Sequence, residues 1–245
     1  MIKRFILILM LCCTSAYSQL PSGKQILDAI DANMASDSRM MTSQMIIHGR
    51  RGSRTITSKT WAQGEDSSFT EYLEPARERG TKMLKLEDKL WMYSTSTDRT
   101  IQISGHMLRQ SVMGSDLSYE DFLENSKLID YYEATVTQKD TLHGRTCWLL
   151  DLTAKTPDVA YHKRRLWVDV EYAVPLRAEL FAKSGKLLKR TDMSDIQRIQ
   201  GRWFPKTILF KDVLKEGDGT EFKVTEVEFD APIPANMLSK AALRK

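Results

Sequence analysis

The sequence predicts a mainly β protein of the α+β class, built on one long antiparallel sheet with two or three helices available to fill its concave face. Two observations carry this prediction. Most of the chain alternates apolar and polar residues with a period of two, and short turns separate the alternating segments. Sequential strands joined by short turns pair as an antiparallel meander. A sheet of this length must curl or close, because otherwise it leaves exposed edges.

The first predicted element is a helix at 22–34. Ser22 and Gln25 have the spacing of a capping box, in which each residue satisfies a backbone or side-chain group of the other. Ile26 and Ile30 then recur at helical spacing, which gives the helix one apolar face. This face predicts packing against the sheet.

After this helix the period changes to two, which indicates strands. Leu90, Trp91, Met92 and Tyr93 are apolar on both faces of one predicted strand. Such a strand is covered on both sides, by core on one side and by a ligand cavity or a helix on the other. The predicted strands in this half are 41–48, 54–62, 67–73, 82–86, 89–94 and 100–104.

A helical stretch within 106–125 interrupts the strands, and Ser118 and Asp121 form a second capping pair inside it. Strands then resume and continue almost to the end of the sequence. They are predicted at 131–139, 145–153, 164–170, 175–182, 187–193, 196–199, 203–213 and 221–229, followed by a short helix at 236–243. No repeat, low-complexity tract or linker divides the sequence, so residues 19–245 are predicted to form a single domain.

The beginning of the sequence has the layout of a secretory signal peptide. Two basic residues start it, an apolar run follows over 5–13, and Ala16-Tyr17-Ser18 places small residues at −3 and −1 of a cleavage point. The apolar run is too short to span a membrane stably. We therefore predict a cleavable signal peptide at 1–18 and a periplasmic location.

Cysteine usage agrees with export. Cys12 and Cys13 lie inside the apolar run, where the leucine before them gives a poor context for lipid attachment. Cys147 is the one cysteine after the predicted cleavage point, so no intramolecular disulfide is expected. A chain of this length buries a sizeable core without one. The expected mature protein is a freely diffusing monomer.

The charge balance excludes some classes of partner. The 36 Lys and Arg residues nearly match the 32 Asp and Glu residues, which gives no electrostatic case for nucleic acid. Lys163-Arg164-Arg165 is a local basic run, which suits either an anionic headgroup or a solvated strand end. No later segment approaches the roughly 20 apolar residues of a membrane-spanning helix.

The residues capable of chemistry form no catalytic or metal-binding motif in the sequence. No two of the four histidines have the spacing of a metal site, and Cys147 lies in a strand-core pattern that predicts a buried, inert thiol. A group of acidic residues is predicted to cap a helix and form its solvated face rather than to bind calcium. These residues are Asp116, Glu120, Asp121 and Glu124. We predict no enzyme, no catalytic residue, no metal and no cofactor.

Three stretches, in order along the chain, carry a family resemblance. They are VMGSDLSYEDF at 112–122, RLWVD at 165–169 followed by PLR at 175–177, and GRWFP at 201–205. Together they resemble a divergent branch of the LolA-like outer-membrane lipoprotein-sorting proteins. The resemblance implies a strongly curved antiparallel half-barrel of the LolA/LolB type, with helices covering the concave face. It also implies an apolar cavity between sheet and helices that accepts acyl chains.

The leading hypothesis is a periplasmic, non-enzymatic carrier or chaperone that moves a lipid or a lipidated protein toward the outer membrane. An RseB-like envelope sensor and an accessory module of an inner-membrane transporter complex are the alternatives. Methionine adapts to variable apolar ligands but also fills cores. The residues predicted to line the cavity are Met45, Ile47, Met83, Leu84, Leu90, Met92, Met113, Leu117 and Phe122.

Overall fold

The computed structural model describes residues 20–49, 52–124 and 127–244, and the predicted signal peptide lies outside these residues. One antiparallel sheet contains all strands of the described residues, which confirms the predicted fold class. The strands are β1 (Ser38–Gly49), β2 (Gly52–Gln63), β3 (Ser67–Glu74), β4 (Lys82–Leu86), β5 (Lys89–Ser94), β6 (Arg99–Ile103), β7 (Tyr132–Leu142), β8 (Arg145–Ala154), β9 (Lys163–Asp169), β10 (Pro175–Phe181), β11 (Leu187–Ile199), β12 (Arg202–Asp212) and β13 (Gly219–Phe229). The helices are α1 (Gly23–Met34), α2 (Tyr119–Leu123) and α3 (Leu128–Tyr131), with 3-10 turns at Gly105–Arg109, Val112–Gly114 and Lys240–Arg244.

The strand order places the middle of the chain across the sheet. From edge to edge the order is β6-β5-β4-β3-β2-β1-β13-β12-β11-β10-β9-β8-β7. The chain runs outward from β1 to β6, then starts again at the far edge with β7 and returns until β13 pairs with β1. Because β6 and β7 are opposite edges, the connection between them has to cross one face of the sheet, and its packing places it on the concave face. We call this connection the cover segment; its described residues are 104–124 and 127–131.

Three of the four clusters of buried residues cover the sheet on its two faces as follows. On one half of the concave face, α1 packs with its buried Leu27 on β7 to β10. On the other half, the cover segment packs with its buried Leu117 on β1 to β6. On the convex face, Trp91 packs against Leu243 near the end of the chain. Leu90 faces the cover segment while Trp91 faces away from it, which confirms that β5 is covered on both sides.

The two strands predicted at 187–193 and 196–199 are one continuous strand, β11. Asp195 has a positive φ of 50°, and this local irregularity interrupts the sequence pattern. The pairing with β12 nevertheless keeps its register, because Ser194 pairs with Thr207 and Ile196 pairs with Pro205. The ladder of the neighbouring strand therefore overrides the local conformation.

The helical stretch predicted at 106–125 is broken into two 3-10 turns and α2. Met113 and Gly114 have φ values of 51° and 73°, and two residues in the left-handed region end a helix. α3 was not predicted, and the helix expected at 236–243 is a 3-10 turn at Lys240–Arg244. Asn236 has a φ of 66°, which prevents a helix from starting there.

Candidate functional site

A cavity of about 480 Å³ lies on the concave face, between α1, the cover segment and the centre of the sheet. Sites for small ligands have volumes of roughly 300–1,000 Å³ and mostly apolar walls. The apolar wall here comes from helices and strands that are far apart in sequence. It includes Met34, Met41, Phe122, Met193, Ile208 and Phe222. Charged side chains also reach the cavity, namely Arg39, Glu65, Lys85, Asp121, Glu124 and Arg164.

α1 forms one wall of the cavity and is fixed at both ends. At its start, the Ser22 hydroxyl accepts the Gln25 N–H at 3.2 Å and the Ser22 N–H donates to Gln25 Oε1 at 2.9 Å, which confirms the predicted capping box. At its end, Asn33 donates to the carbonyl of Tyr172 at 2.7 Å and accepts the N–H of Trp203 at 3.2 Å. The loop after β9 and the start of β12 thus hold the helix in place over the cavity.

The Gly-Ser-Asp part of the signature stretch attaches the cover segment to the sheet. The carboxylate of Asp116 accepts the Thr220 hydroxyl at 2.8 Å and the Asp212 N–H at 3.0 Å. The N–H of Asp116 donates to the same Thr220 oxygen at 3.0 Å. Asp116 and Thr220 are both buried, so these hydrogen bonds are shielded from water.

A second set of contacts fixes α2 next to the cavity. Asp121 accepts from the N–H and the hydroxyl of Ser118, so the predicted capping pair is confirmed. The same carboxylate also accepts the Tyr161 hydroxyl at 2.6 Å and pairs with Lys189. Burial, together with Asp121, raises the pKa of Tyr161 well above its usual range. Tyr161 therefore stays protonated and acts as a hydrogen-bond donor.

Arg164 is the most deeply buried cation at this end of the cavity. It pairs with Glu124 and lies 4.7 Å from the ring centroid of Tyr132. Burial lowers its pKa to about 10. The interpretation of Lys163-Arg164-Arg165 as a solvated strand end is therefore wrong for its central residue, which points inward because alternate residues of a strand face opposite sides.

The acidic group in the cover segment differs from its predicted role. Asp116 is 8% exposed and the Asp121 side chain is 14% exposed, so these two residues do not form a solvated helix face. Their partners Thr220 and Lys189 come from β13 and β11, about 70 to 100 residues away in sequence. Local spacing cannot reveal such partners, which is why the sequence pattern predicted capping and a solvated helix face.

A third set of contacts shapes the loop after β9. Asp169, the last residue of the RLWVD stretch, binds Arg145 through both carboxylate oxygens and accepts the N–H of Tyr172 at 2.8 Å. The Tyr172 ring lies between the Arg145 guanidinium, at 4.0 Å, and the Trp203 ring, at 3.9 Å. Trp203 lines the cavity, so this stack supports its rim.

Asp169 is expected to make the protein sensitive to acid. Burial acts to raise the pKa of Asp169, but hydrogen bonds from Arg145 and two backbone N–H groups outweigh it and hold the pKa below its usual value. The stabilisation is therefore complete above the ordinary aspartate pKa of about 4 and is lost as the pH falls through the lower folded-state value. Melting temperatures between pH 7 and pH 3 should fall less in D169N than in the wild type. The exposed Asp218 provides the control, since D218N should follow the wild type; equal slopes for D169N and the wild type would rule out this role.

The nine residues predicted to line the cavity are only partly brought together. Eight of them lie in the cluster between the cover segment and β1 to β6, which is filled by their own side chains and those of the cover segment. They are Met45, Ile47, Met83, Leu90, Met92, Met113, Leu117 and Phe122. Phe122 also lines the cavity. Leu84 lies on the convex face with Trp61 and Phe69, because it follows the inward-facing Met83. Contact of these nine with a ligand stays a prediction.

The cavity residues that the sequence did not single out lie mainly on β1 and on β11 to β13. Met41 lies four residues before Met45 on β1, so period-two alternation places both side chains on the same face. Met193 and Ile208 pair directly with each other across β11 and β12. Their orientation depends on strand register, which the sequence pattern does not supply.

Cys147, the cysteine of the described residues, is buried. Burial raises the pKa of the Cys147 thiol to about 11, so the thiolate is scarce at neutral pH. Within 20–49, 52–124 and 127–244, no group of three or more His, Cys, Asp or Glu side chains is placed to hold a metal ion. No helix in these ranges has the length and apolar character needed to cross a membrane.

Comparisons with known proteins agree with the observed architecture. A family model described as "Uncharacterized protein" matches residues 64–245. A search of curated proteins returns no significant match.

Three solved structures share the fold over most of both chains. A domain described as outer membrane lipoprotein-sorting, from Vibrio parahaemolyticus, superposes with a TM-score of 0.80 at 21% identity, covering 91% of this chain and 98% of that one. A DUF1329 family protein from Desulfovibrio piger gives a TM-score of 0.82 at 24% identity, covering 91% and 100%. A LolA superfamily protein from Nitrosomonas europaea gives 0.76 at 22% identity, covering 91% and 100%. At these identities the likeness establishes the fold.

Proposed function

Because the chain belongs to the family whose model matches residues 64–245, and because it has the LolA-like fold, we propose that it is a non-enzymatic carrier. It holds the acyl chains of a lipid or a lipidated protein in the cavity on its concave face. It passes this cargo toward the outer membrane. The observation that carries the proposal is the cavity of about 480 Å³ with its apolar wall between α1, the cover segment and the sheet.

The physical basis of transport is the removal of acyl chains from water. Each buried methylene group contributes about 0.8 kcal/mol, so an apolar cavity binds a chain without covalent chemistry. Transfer then depends on the difference in affinity between donor, carrier and acceptor. The methionines Met34, Met41 and Met193 suit this task, because their flexible side chains adapt to chains of different length.

A carrier has to move freely between its donor and its acceptor. The predicted signal peptide at 1–18 agrees with this, because its removal leaves an exported monomer in the periplasm. Cell fractionation, combined with N-terminal sequencing of the exported protein, tests this part. We expect a periplasmic protein that begins at Gln19. A chain that retains its first eighteen residues, or stays in the cytoplasmic fraction, would contradict it.

Filling the cavity should strongly weaken the binding of acyl chains. Ile208 on β12 lines the cavity, and a tryptophan at this position occupies space that the acyl chain needs. We expect I208W to weaken binding of a fluorescent fatty acid at least tenfold relative to the wild type. Titration of delipidated protein with the probe, followed by fluorescence, gives the affinities.

The neighbouring residue provides a matched control. Leu209 lies on the same strand but on the opposite face of the sheet, so L209W adds the same side chain without entering the cavity. Circular dichroism and thermal unfolding establish that both variants are folded. Binding by I208W with the affinity of the wild type, or no binding by the wild type, would contradict the carrier proposal. Isolation of a stable complex with an inner-membrane protein, without transfer of cargo, would instead favour an accessory module of a transporter complex or an RseB-like sensor.

A further inference from the structure

The two cations on the sheet side of the cavity have no role in holding an acyl chain. Resting on the carrier function proposed above, we propose that Arg39 and Lys85 bind the anionic headgroup of the cargo. The cargo is then an amphiphile with a carboxylate or phosphate headgroup and an apolar chain. The strand register, the size of the intervening residues and the charges at this rim support the proposal.

The strand register places both cations in one row across four strands. Arg39 on β1 pairs with Ala62 on β2, Ala62 pairs with Ser68 on β3, and Ser68 pairs with Lys85 on β4. Directly paired residues of adjacent strands have their side chains on the same face. All four residues line the cavity. The row therefore crosses the cavity wall with a cation at each end.

The residues between the two cations are small, which leaves a notch. Neighbouring strands are about 4.8 Å apart, so the Cα atoms of Arg39 and Lys85 are separated by about 14 Å. The long cationic side chains of Arg39 and Lys85 flank Ala62 and Ser68 in this row. An anionic group that enters this notch meets donors on both sides, and the Ser68 hydroxyl lies below it.

The row lies at the rim, close to where the strands end. Arg39 is the second residue of β1, and Lys85 is the next-to-last residue of β4. Met41 follows Arg39 on the same face and points into the apolar part of the cavity. A headgroup held at the rim would thus direct its chain inward, along Met41 toward Ile208.

The surroundings of the notch hold its two cations differently. Lys85 is 6% exposed and donates to the Glu65 carbonyl at 2.9 Å. Burial lowers the pKa of both Lys85 and Arg39, while Glu65 acts in the opposite direction on each. Glu65 is the cavity-lining carboxylate at this rim; Asp66 also attracts Lys85, and Asp31 and Glu65 repel each other. Glu65 attracts Arg39 electrostatically, but no hydrogen bond to a described residue fixes the Arg39 guanidinium, so it can turn toward an anion in the notch.

A competition experiment with headgroups of different charge tests the proposal. A fluorescent fatty acid bound to the delipidated protein is displaced by oleate, by oleoyl lysophosphatidylglycerol or by oleoyl lysophosphatidylcholine, each below its micelle concentration. The three competitors share one chain. The first two are anionic and the third is zwitterionic. We expect both anionic competitors to displace the probe at about tenfold lower concentration than the zwitterionic one, the effect of one charge-assisted contact.

Variants assign this preference to the notch. R39Q should lose part of the preference for anionic competitors, and R39Q/K85M should bring the ratio near one while zwitterion binding persists. R99Q/K89Q removes one arginine and one lysine from exposed positions outside the cavity and should keep the wild-type ratio. Thermal unfolding checks that the variants are folded, and R39Q alone suffices if the buried Lys85 does not tolerate replacement.

The outcomes separate this proposal from the carrier function. Equal displacement by all three competitors in the wild type, or an unchanged ratio in folded R39Q and R39Q/K85M, overturns the headgroup site and leaves the carrier intact. Failure of the wild type to bind the probe overturns the carrier first. Preference for oleate over the lysophospholipid supports a free carboxylate as the headgroup, and the reverse order supports a phosphate.

Discussion

Replacing Gly23 by alanine is expected to undock α1 from the sheet and to lower the free energy of unfolding by roughly 3 kcal/mol, the cost of a severe overpacking. A Cβ atom on Gly23 would lie 2.1 Å from the carbonyl oxygen of Ala134 and 2.4 Å from its carbonyl carbon. These are backbone atoms of β7, so they cannot rotate away as a side chain does. The helix has to move instead.

Helix propensity alone predicts the opposite change in the free energy of unfolding. Alanine stabilises a helix by about 1 kcal/mol relative to glycine at an exposed interior position. At Gly23 the close approach to β7 outweighs that gain, because α1 buries Ile26 and Leu27 against the same half of the sheet. Displacement of α1 also moves Met34, so acyl binding should weaken together with stability.

Urea unfolding followed by circular dichroism measures the change in stability. K24A is the matched control, because Lys24 is the next residue of the same helix and its side chain is 69% exposed. We expect K24A to stay within about 0.5 kcal/mol of the wild type. A G23A protein as stable as the wild type would mean that α1 does not dock closely on β7.

Removing the carboxylate of Asp116 is expected to cost about 3 kcal/mol, because it abolishes two shielded hydrogen bonds and leaves the Asp212 N–H without its partner. The same change releases the cover segment from β12 and β13. The segment carries Phe122 into the cavity wall, so D116A should also weaken acyl binding. D116N keeps one carbonyl acceptor and should lose less.

A double-mutant cycle with Thr220 tests whether the two residues act as a unit. T220V keeps the shape of the threonine but removes the hydroxyl that bonds to Asp116 twice. We expect the D116A/T220V protein to be more stable than the sum of the single losses predicts, by at least about 1 kcal/mol. E120Q changes an acidic residue of the same segment outside this network and serves as the control. Additive losses would show that the two residues do not couple.

Much of the fold could be predicted from local patterns. β4 (Lys82–Leu86) and β5 (Lys89–Ser94) occupy the predicted positions, because a tight turn at Glu87 and Asp88 separates two clear alternations. The capping boxes at Ser22 and Ser118 were visible for the same reason, since both partners lie within one helical turn. Alternation, turn residues and capping boxes depend on contacts between residues close in sequence, so the sequence alone reveals them.

The candidate site was harder to predict, because its residues meet only after the sheet forms. Met45 and Met83 carry a clear apolar signal, yet they lie in the packed cluster under the cover segment. Met193 and Ile208 carry the same type of signal and line the cavity. Hydrophobicity shows that a residue is buried, but register and topology decide what it is buried against.

The sequence by itself determined the antiparallel meander and the helix at its start, because period, capping and turn residues act over a few positions. The stretch 112–122 carried the family resemblance. Tertiary structure alone decided that β6 and β7 become opposite edges, which forces the cover segment to cross the sheet. It also decided that Asp116 meets Thr220, and that Arg39 and Lys85 share one row at the cavity rim. The reason is physical: strand pairing brings together residues whose separation in sequence leaves no local trace of their contact.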